Sequence, residues 1–323
     1  MGTNTKISWC DATWNPVRGC TRVSSGCQNC YAERVAARFS GPGQPYEGLA
    51  KMTPSGPRWT GELRMVADHL EDPLRWQKPR RVFVNSMSDL FHKSIPDEWI
   101  DKIFAAMALS QRHVFQVLTK RPERMREYLA DNEACLLGTG VPESVDSAME
   151  PLLDAHLGKF PKEFQEKWYW ERPQYGEFGR VELRGYYGSH EKIFDWPLPN
   201  VHLGTSCEDQ ATADERILHL LRCPAAVRWL SLEPLLGPID IERFLYEDPR
   251  MGAVMTGAGG KIDWVVVGAE SGPSARPMDL DWVRSLRDQC VSAGVPFFFK
   301  QMIVDGRKVE LPELDGRVWA EYP

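Results

Sequence analysis

Four of the eight cysteines in this 323-residue chain lie within 21 residues, at Cys10, Cys20, Cys27 and Cys30. The last three follow the spacing C-x6-C-x2-C, whose short second gap lets two sulfur atoms reach one centre. Thiolates are soft ligands that select zinc or iron–sulfur clusters among the metals found in proteins. This cysteine cluster therefore predicts a metal centre.

Two metal centres are compatible with these cysteines. In the first, Cys10 joins the other three in a four-thiolate structural zinc site, although the spacing lacks the paired C-x2-C knuckles of zinc ribbons. In the second, Cys20, Cys27 and Cys30 hold three irons of a [4Fe–4S] cluster and leave the fourth iron open. Unliganded packing cysteines are a third interpretation, but the Ser-Ser-Gly at 24–26 makes this segment a loop. We favour the open-iron cluster, with Cys10 undecided.

A second set of candidate residues follows the apolar segments that have the length of β-strands. A single polar residue at a strand end is explained by a turn or a helix cap. Six polar strand ends in succession indicate instead a polar pocket at one rim of a parallel sheet, where ligand chemistry collects. The candidates are Asn85, Ser86, Ser88, Ser206, Glu208, Ser231, Glu233, Glu270, Arg276 and Lys300.

The elements that must position these residues alternate along the chain. Near-continuous apolar strands followed by amphipathic helices predict a parallel sheet covered on both faces. The expected fold class is α/β, a partial or complete parallel (β/α) barrel. The predicted strands are 82–85, 114–118, 201–204, 227–232, 264–268 and 296–299, with one more near 7–9 or 13–17, and the predicted helices are 96–109, 121–130, 211–221 and 280–293.

Residues 134–197 interrupt this alternation and are predicted to be an aromatic-rich insertion into a core formed by 1–133 and 198–323. The segment 160–196 carries 11 aromatic residues interleaved with Arg and Lys, among them Arg180 and Arg184. Aromatic rings that stack on bases, beside cations that bind phosphates, suit a single strand or a flipped base. The insertion is thus a candidate substrate lid, with a small self-packed unit as the alternative.

Composition excludes several classes of protein. A hydrophobic content of 42% is typical of a globular protein rather than a disordered one. No apolar run reaches the roughly 18 residues of a membrane span, and the N-terminus lacks a signal peptide's apolar stretch, so a cytoplasmic location without membrane contact is expected. In that compartment disulfides are rare, and Cys135, Cys207, Cys223 and Cys290 are expected to be packing residues. The net charge of −6 limits nucleic-acid binding to a local basic region.

Several motifs resemble a phage-associated three-cysteine-motif protein family of unknown function, which is similar to radical S-adenosylmethionine (SAM) enzymes. The resemblance covers nearly the whole chain outside the insertion. Its first cysteine gap is six residues, whereas the usual radical SAM pattern has three. The matching stretches are WNPVRGC at 14–20, GCQNCYAE at 26–33, NSMSDLF at 85–91, LTKRP at 118–122, LGTSCED at 203–209, LEPL at 232–235 and GAESG at 268–272.

The resemblance implies a barrel of the radical SAM type and a role for each candidate residue. Cys20, Cys27 and Cys30 would ligate three irons of a [4Fe–4S] cluster, and SAM would chelate the fourth. One electron from the cluster would cleave SAM to methionine and a 5′-deoxyadenosyl radical. The remaining roles are assigned by position: Asn85, Ser86 and Ser88 to the methionine amino group; Ser206, Glu208 and Ser231 to the ribose or carboxylate; and Glu233, Glu270, Arg276 and Lys300 to catalysis on the substrate.

Three functions follow as hypotheses. The first is a radical SAM enzyme that modifies or rearranges a nucleobase, such as a thymine-type base in phage DNA, in the host cytoplasm if the chain is phage-encoded; its class (isomerase, lyase or transferase) is open. The second is a nucleic-acid-binding protein with a structural metal site and no turnover. The third is a radical SAM enzyme acting on a peptide or a small metabolite. The radical SAM hypotheses also imply an electron donor such as flavodoxin or ferredoxin as a partner.

Overall fold

The structure is a computed structural model that describes residues 5–130, 143–156, 158, 162, 196–247 and 260–323. Its strands are β1 (Ala12–Trp14), β2 (Val17–Arg18), β3 (Ala50–Thr53), β4 (Gly56–Trp59), β5 (Arg64–Met65), β6 (Arg81–Val84), β7 (Val114–Thr119), β8 (Val201–Ser206), β9 (Val227–Leu232), β10 (Trp264–Gly268), β11 (Phe297–Val304), β12 (Arg307–Glu310), β13 (Glu313–Leu314) and β14 (Arg317–Val318). Its helices are α1 (Tyr31–Arg38), α2 (Asp72–Arg75), α3 (Asp97–Leu109), α4 (Pro122–Ala130), α5 (Glu143–His156), α6 (Gln210–Leu221) and α7 (Leu280–Ala293).

One eight-stranded sheet organises the molecule, in the order β1-β6-β7-β8-β9-β10-β11-β12. All neighbours run parallel except β11 and β12, which pair antiparallel. The sheet curls into a half-barrel, so the α/β class and the partial form of the predicted barrel are confirmed. Each of the six predicted strands lies in this sheet, and the seventh is β1, which overlaps the second of its two predicted positions.

The predicted helices form where capping residues mark their ends. Helix α7 begins after Asp279, whose carboxylate accepts a hydrogen bond from the amide of Asp281 at 2.9 Å. It ends at Gly294, which adopts the left-handed conformation with φ of 65°. Helix α6 begins after Asp209 in the same way, with Thr212 as the donor. No helix in the described ranges combines the length and the apolarity that crossing a membrane requires.

The two faces of the curled sheet bury different side chains. Toward the helices, residues such as Val265 and Val267 join the main hydrophobic core. Toward the barrel interior, Trp9, Trp229 and Trp264 form an aromatic cluster with Phe83 and Phe298. The ring centroids of Trp9 and Trp229 are 5.2 Å apart, and those of Trp229 and Trp264 are 5.3 Å apart. This aromatic cluster fills the barrel below the carboxyl ends of the strands.

Part of the predicted insertion belongs to the core. Helix α5 lies within 134–197, yet its Val145, Met149, Leu152 and Leu153 are buried in the main core. The segment 134–197 therefore contributes a helix to the main core, and the boundary at residue 134 stays a prediction. The aromatic and basic stretch on which the lid hypothesis rests, including Arg180 and Arg184, lies almost entirely outside the described residues.

Candidate functional site

A pocket of about 200 Å³ opens at the carboxyl ends of the parallel strands, above the aromatic cluster. Trp9 and Phe83 form its floor, and the segment 20–30, which we call the cysteine loop, forms one wall. A pocket at this rim was predicted from the polar ends of successive strands. Eleven of the thirteen candidate residues line this pocket. They are Cys20, Cys27, Cys30, Asn85, Ser86, Ser88, Ser206, Ser231, Glu233, Glu270 and Lys300.

The cysteine loop presents three thiols to the pocket. Cys20, Cys27 and Cys30 are partly buried, and none of them is in a disulfide. Burial raises the pKa of Cys20 to about 12 and also raises that of Cys30, so a metal must displace their protons on binding. Nowhere in the described ranges are three or more His, Cys, Asp or Glu side chains arranged to hold a single metal ion. Three thiols on one wall of the pocket fit a [4Fe–4S] cluster with one open iron, because such a cluster takes one thiolate on each of three irons.

Cys10 lies apart from the other three. It is buried within the aromatic cluster, and its Sγ is 3.8 Å from the carbonyl oxygen of Ile7. Burial raises the pKa of its thiol to about 12. Cys10 does not line the pocket, so its position agrees better with three ligating cysteines than with a four-thiolate site.

Arg276 and Glu270 fasten the cysteine loop to the end of β10. Arg276 donates hydrogen bonds to Glu270 Oε2 at 2.9 Å and to the carbonyl oxygen of Ser25 at 3.0 Å. Asn29 donates to the same carboxylate at 2.9 Å. Arg276 itself is not among the pocket-lining residues. Both residues were predicted to be catalytic; the contacts of the pair hold the cysteine loop in place, and Glu270 also lines the pocket.

Glu208 fastens the cysteine loop from the opposite side. Its side chain is fully buried, and its carboxylate accepts hydrogen bonds from Lys120 at 2.5 Å, Arg216 at 3.1 Å and Ser24 at 3.1 Å. Burial alone would raise the pKa of Glu208, but the two cations outweigh it and the pKa is lowered. Glu208 was predicted to contact the ribose or carboxylate of SAM; it does not line the pocket, and the contacts of its carboxylate are internal.

Close packing at Gly26 explains how the cysteine loop approaches Glu208. A Cβ atom at Gly26 would overlap the carboxylate of Glu208. Because that carboxylate is held by three partners, it cannot turn aside at low cost. Glycine at this position therefore allows the segment between Cys20 and Cys27 to lie directly on the barrel.

A third fastening joins the start of the cysteine loop to β7. Arg121 donates to Asp89 Oδ2 at 2.8 Å and to the carbonyl oxygen of Thr21 at 3.0 Å. Asp89 also accepts from the hydroxyl of Thr119 at 2.6 Å. None of these residues was among the candidates, although Asp89 and Arg121 stand in the strand-end motifs NSMSD and LTKR. Lys120 was missed in the same way.

Asn85 leaves a hydrogen-bond donor without a partner at the pocket. It follows β6 directly, adopts the left-handed conformation with φ of 57°, and is 2% exposed. Its Oδ1 accepts from the amide of Val17, but its Nδ2 has no partner within the described residues. Such a buried orphan donor is costly unless a ligand accepts from it.

The hydroxyl protons of Ser86 and Ser88 are already engaged in hydrogen bonds. Ser86 donates to Asn15 Oδ1 at 3.1 Å, and Ser88 donates to the carbonyl oxygen of Val17 at 3.0 Å. Their remaining lone pairs suit a cationic group, such as an ammonium, as their partner.

Lys300 and Glu233 form an ion pair on the far wall of the pocket. The Lys300 Nζ lies 2.8 and 2.7 Å from the two carboxylate oxygens of Glu233. Gln301 donates to the same carboxylate at 3.1 Å and so fixes its orientation. Both members of the pair retain some solvent exposure, which places a proton donor and a proton acceptor in reach of a ligand.

Comparison with known proteins gives a family and nothing further. No curated protein matches the chain, and no solved structure matches it. One protein-family model matches residues 4–323, which is almost the entire chain. The chain therefore belongs to the family described as "Protein of unknown function (DUF5131)".

Proposed function

We propose that this protein is a radical SAM-like enzyme that acts on a nucleobase. The observation that carries the proposal is the convergence of three free thiols and the orphan donor of Asn85 on one pocket at the carboxyl ends of a partial barrel. A reduced [4Fe–4S] cluster at Cys20, Cys27 and Cys30 would supply one electron that cleaves SAM to methionine and a 5′-deoxyadenosyl radical.

In this proposal the polar groups of the pocket match different parts of SAM. The Asn85 Nδ2 donor suits the carboxylate of the methionine moiety, whereas the lone pairs of Ser86 and Ser88 suit its ammonium. Ser206 and Ser231, at the ends of neighbouring strands, provide hydroxyls for the ribose. In this proposal the cofactor supplies the hard chemistry. The protein orients cofactor and substrate and shields them from water.

Lys300 and Glu233 are the candidates for handling protons on the substrate. They touch each other at the pocket wall and have no other ionic partner within the described residues. Glu270 and Arg276, by contrast, act in this proposal as positioning residues that hold the cysteine loop. In this proposal the predicted catalytic set is narrowed to Lys300 and Glu233, because Glu270, which also lines the pocket, is engaged by Arg276 and Asn29.

A nucleobase is favoured as substrate by the aromatic and cationic groups at the pocket. Tyr31 and Trp59 offer flat surfaces, and Lys120 and Arg121, which are ion-paired with Glu208 and Asp89, add N–H groups beside them. Base stacking on aromatic rings beside cations is the usual chemistry of nucleotide recognition. A peptide or a small metabolite would have less use for the two rings.

The test is anaerobic purification and reconstitution with iron and sulfide. We expect a brown protein with about four irons and four sulfides, which releases 5′-deoxyadenosine from SAM when dithionite is added. The variant Cys27→Ala should lose both properties, and the matched control Cys290→Ala, at a buried thiol far along the chain, should keep both. A colourless protein carrying one zinc would overturn the proposal in favour of a structural metal site.

A further inference from the structure

One side of the pocket mouth carries a concentrated positive charge. We call it the α1–hairpin surface: helix α1, the β3–β4 hairpin that packs on it, and the paired residues Arg18 and Arg64 beside the hairpin. The stretch 18–64, which spans these elements, holds seven of the 39 Lys and Arg residues of the chain but only three of its 45 Asp and Glu residues. In a protein with a net charge of −6, this surface has the opposite sign to the whole.

Much of this charge is free to meet an anion. Glu33, which is buried, already binds Arg22 at 2.5 Å and lies 3.9 Å from Arg58. Arg38 and Lys51 are exposed, and neither has a carboxylate within ion-pair distance among the described residues. Arg18 and Arg64 donate to backbone carbonyl oxygens of the turn at 45–47 rather than to a carboxylate.

Aromatic rings lead from the pocket onto this surface. Trp59 lines the pocket, and its ring centroid is 6.5 Å from that of Tyr46. The guanidinium of Arg18 lies over Tyr46 at 5.3 Å. These rings form a continuous path from the pocket to the charged residues outside it.

The solvent face of α1 continues this pattern. Tyr31 and Val35 in the helix and Phe39 directly after its last residue follow one another at intervals of four residues, and all three are exposed, at 41%, 37% and 44%. Arg38 lies between Val35 and Phe39 and is exposed, whereas Arg34 is partly buried and donates to the carbonyl oxygen of Ser271 at 2.9 Å. A globular protein has no structural need to expose such a stripe of apolar and cationic side chains.

From this combination we infer that the α1–hairpin surface binds single-stranded nucleic acid, with the phosphates on its Arg and Lys residues and a base at Tyr31 and Trp59. Stacking rings along a cationic track are the usual recognition chemistry for single strands. An acidic protein or an anionic membrane would use the same charges, but neither would use rings that lead into a pocket. The inference names the substrate class of the proposed function and so rests on it, although binding itself needs neither cluster nor SAM.

Fluorescence anisotropy with a labelled single-stranded oligothymidine tests the inference on the full-length protein without SAM. The double variant Arg38→Gln/Lys51→Gln removes two contacts. It should weaken binding about tenfold at low salt and make the negative slope of log K against log[salt] shallower by about 1.4, at ~0.7 per contact. The control Lys102→Gln/Arg307→Gln removes two exposed charges elsewhere and should change the affinity less than about twofold. Phe39→Ser should weaken binding without changing the slope, because it removes a ring and no charge.

Three results would overturn the inference: equal losses in the test and control variants, equal affinity for a polyglutamate peptide, or equal affinity for phosphatidylserine vesicles. The first indicates binding by overall charge, the second an acidic protein partner, and the third a membrane surface. Release of 5′-deoxyadenosine without any oligonucleotide, measured on the same variants, reports the proposed function separately. If only the inference about the α1–hairpin surface is wrong, Arg38→Gln/Lys51→Gln still releases 5′-deoxyadenosine at the wild-type rate.

Discussion

Arg276 donates to both carboxylate oxygens of Glu270, to Oε2 at 2.9 Å and to Oε1 at 2.5 Å. The same guanidinium reaches the carbonyl oxygen of Ser25, so one ion pair connects the end of β10 with the middle of the cysteine loop. Because Glu270 is 5% exposed, water competes little for its carboxylate. The position of the three thiols thus depends on residues about 240 positions further along the chain.

Replacing Glu270 by Gln should loosen the cysteine loop. We expect a loss of about 1–2 kcal/mol in the free energy of unfolding, since Arg276 is partly exposed and its charge is partly solvated. Limited proteolysis should cut Glu270→Gln within 20–30 faster than the wild type. Glu313→Gln, at an exposed carboxylate, serves as control. Equal cutting of all three proteins would show that the ion pair does not hold the loop.

The effect of Glu270→Gln should depend on pH. Burial alone would raise the pKa of Glu270, but hydrogen bonds from Arg276 and Asn29 outweigh it and hold the pKa below its ordinary value of 4.5. A lowered pKa means that the stabilisation is complete above the unfolded-state pKa and is lost as the pH falls through the folded-state value. The difference in Tm between wild type and variant should be largest near neutral pH and shrink below pH 4.5. A constant difference would contradict an ionised Glu270.

Cys10 and Cys27 should behave differently when replaced by Ala. Because Cys10 lies in the aromatic cluster, Cys10→Ala should cost about 1 kcal/mol of stability through a small cavity and leave the iron content unchanged. Cys27→Ala should remove the iron with little change in the stability of the apoprotein. Iron analysis and thermal unfolding measure the two effects. Loss of metal from both variants would favour four thiolate ligands.

Gly26→Ala should disturb the cysteine loop without touching a cysteine. Its added methyl group would overlap the carboxylate of Glu208, which Lys120 and Arg216 hold in place. We expect a loss of about 1–3 kcal/mol, as for other overpacked sites, and less iron after reconstitution. Gly237→Ala, where a Cβ meets nothing within 4 Å, should be nearly neutral. Iron uptake equal to wild type in Gly26→Ala would show that the loop can move away.

Lys300→Met and Glu233→Gln should reduce turnover and spare the metal. Under the proposed function, either change should lower the rate of substrate-dependent 5′-deoxyadenosine release by about 10²-fold, the size of a positioned acid–base group. Since the two side chains form one pair, the double variant should be little worse than the single ones. Additive losses would mean that the two groups act independently.

The sequence predicted the sheet well because its strands are apolar runs with polar ends. Helix α7 was also predictable in detail, since Asp279 and Gly294 mark its two ends. Helix α5 was missed because no strand–helix unit was evident around it, and the β3–β4 hairpin because Pro54 and Pro57 are unfavourable in strands.

The sequence predicted which strand ends contribute residues to the candidate site, but not the hydrogen bonds and ion pairs that connect them. Pocket residues such as Ser231 and Lys300 follow from the polar ends alone. Fastenings such as Asn29 to Glu270 and Ser24 to Glu208 join residues 241 and 184 positions apart, which no local pattern encodes. For this reason the hydrogen bonds of Glu208 and Glu270 to the cysteine loop were not predicted.

The aromatic cluster closes the bottom of the pocket. Trp9, Trp229 and Trp264 are buried in the interior beneath it, and the cysteine loop forms one of its walls. Under the proposed function, a cofactor seated against this floor would lie beneath the substrate and would have to bind before it.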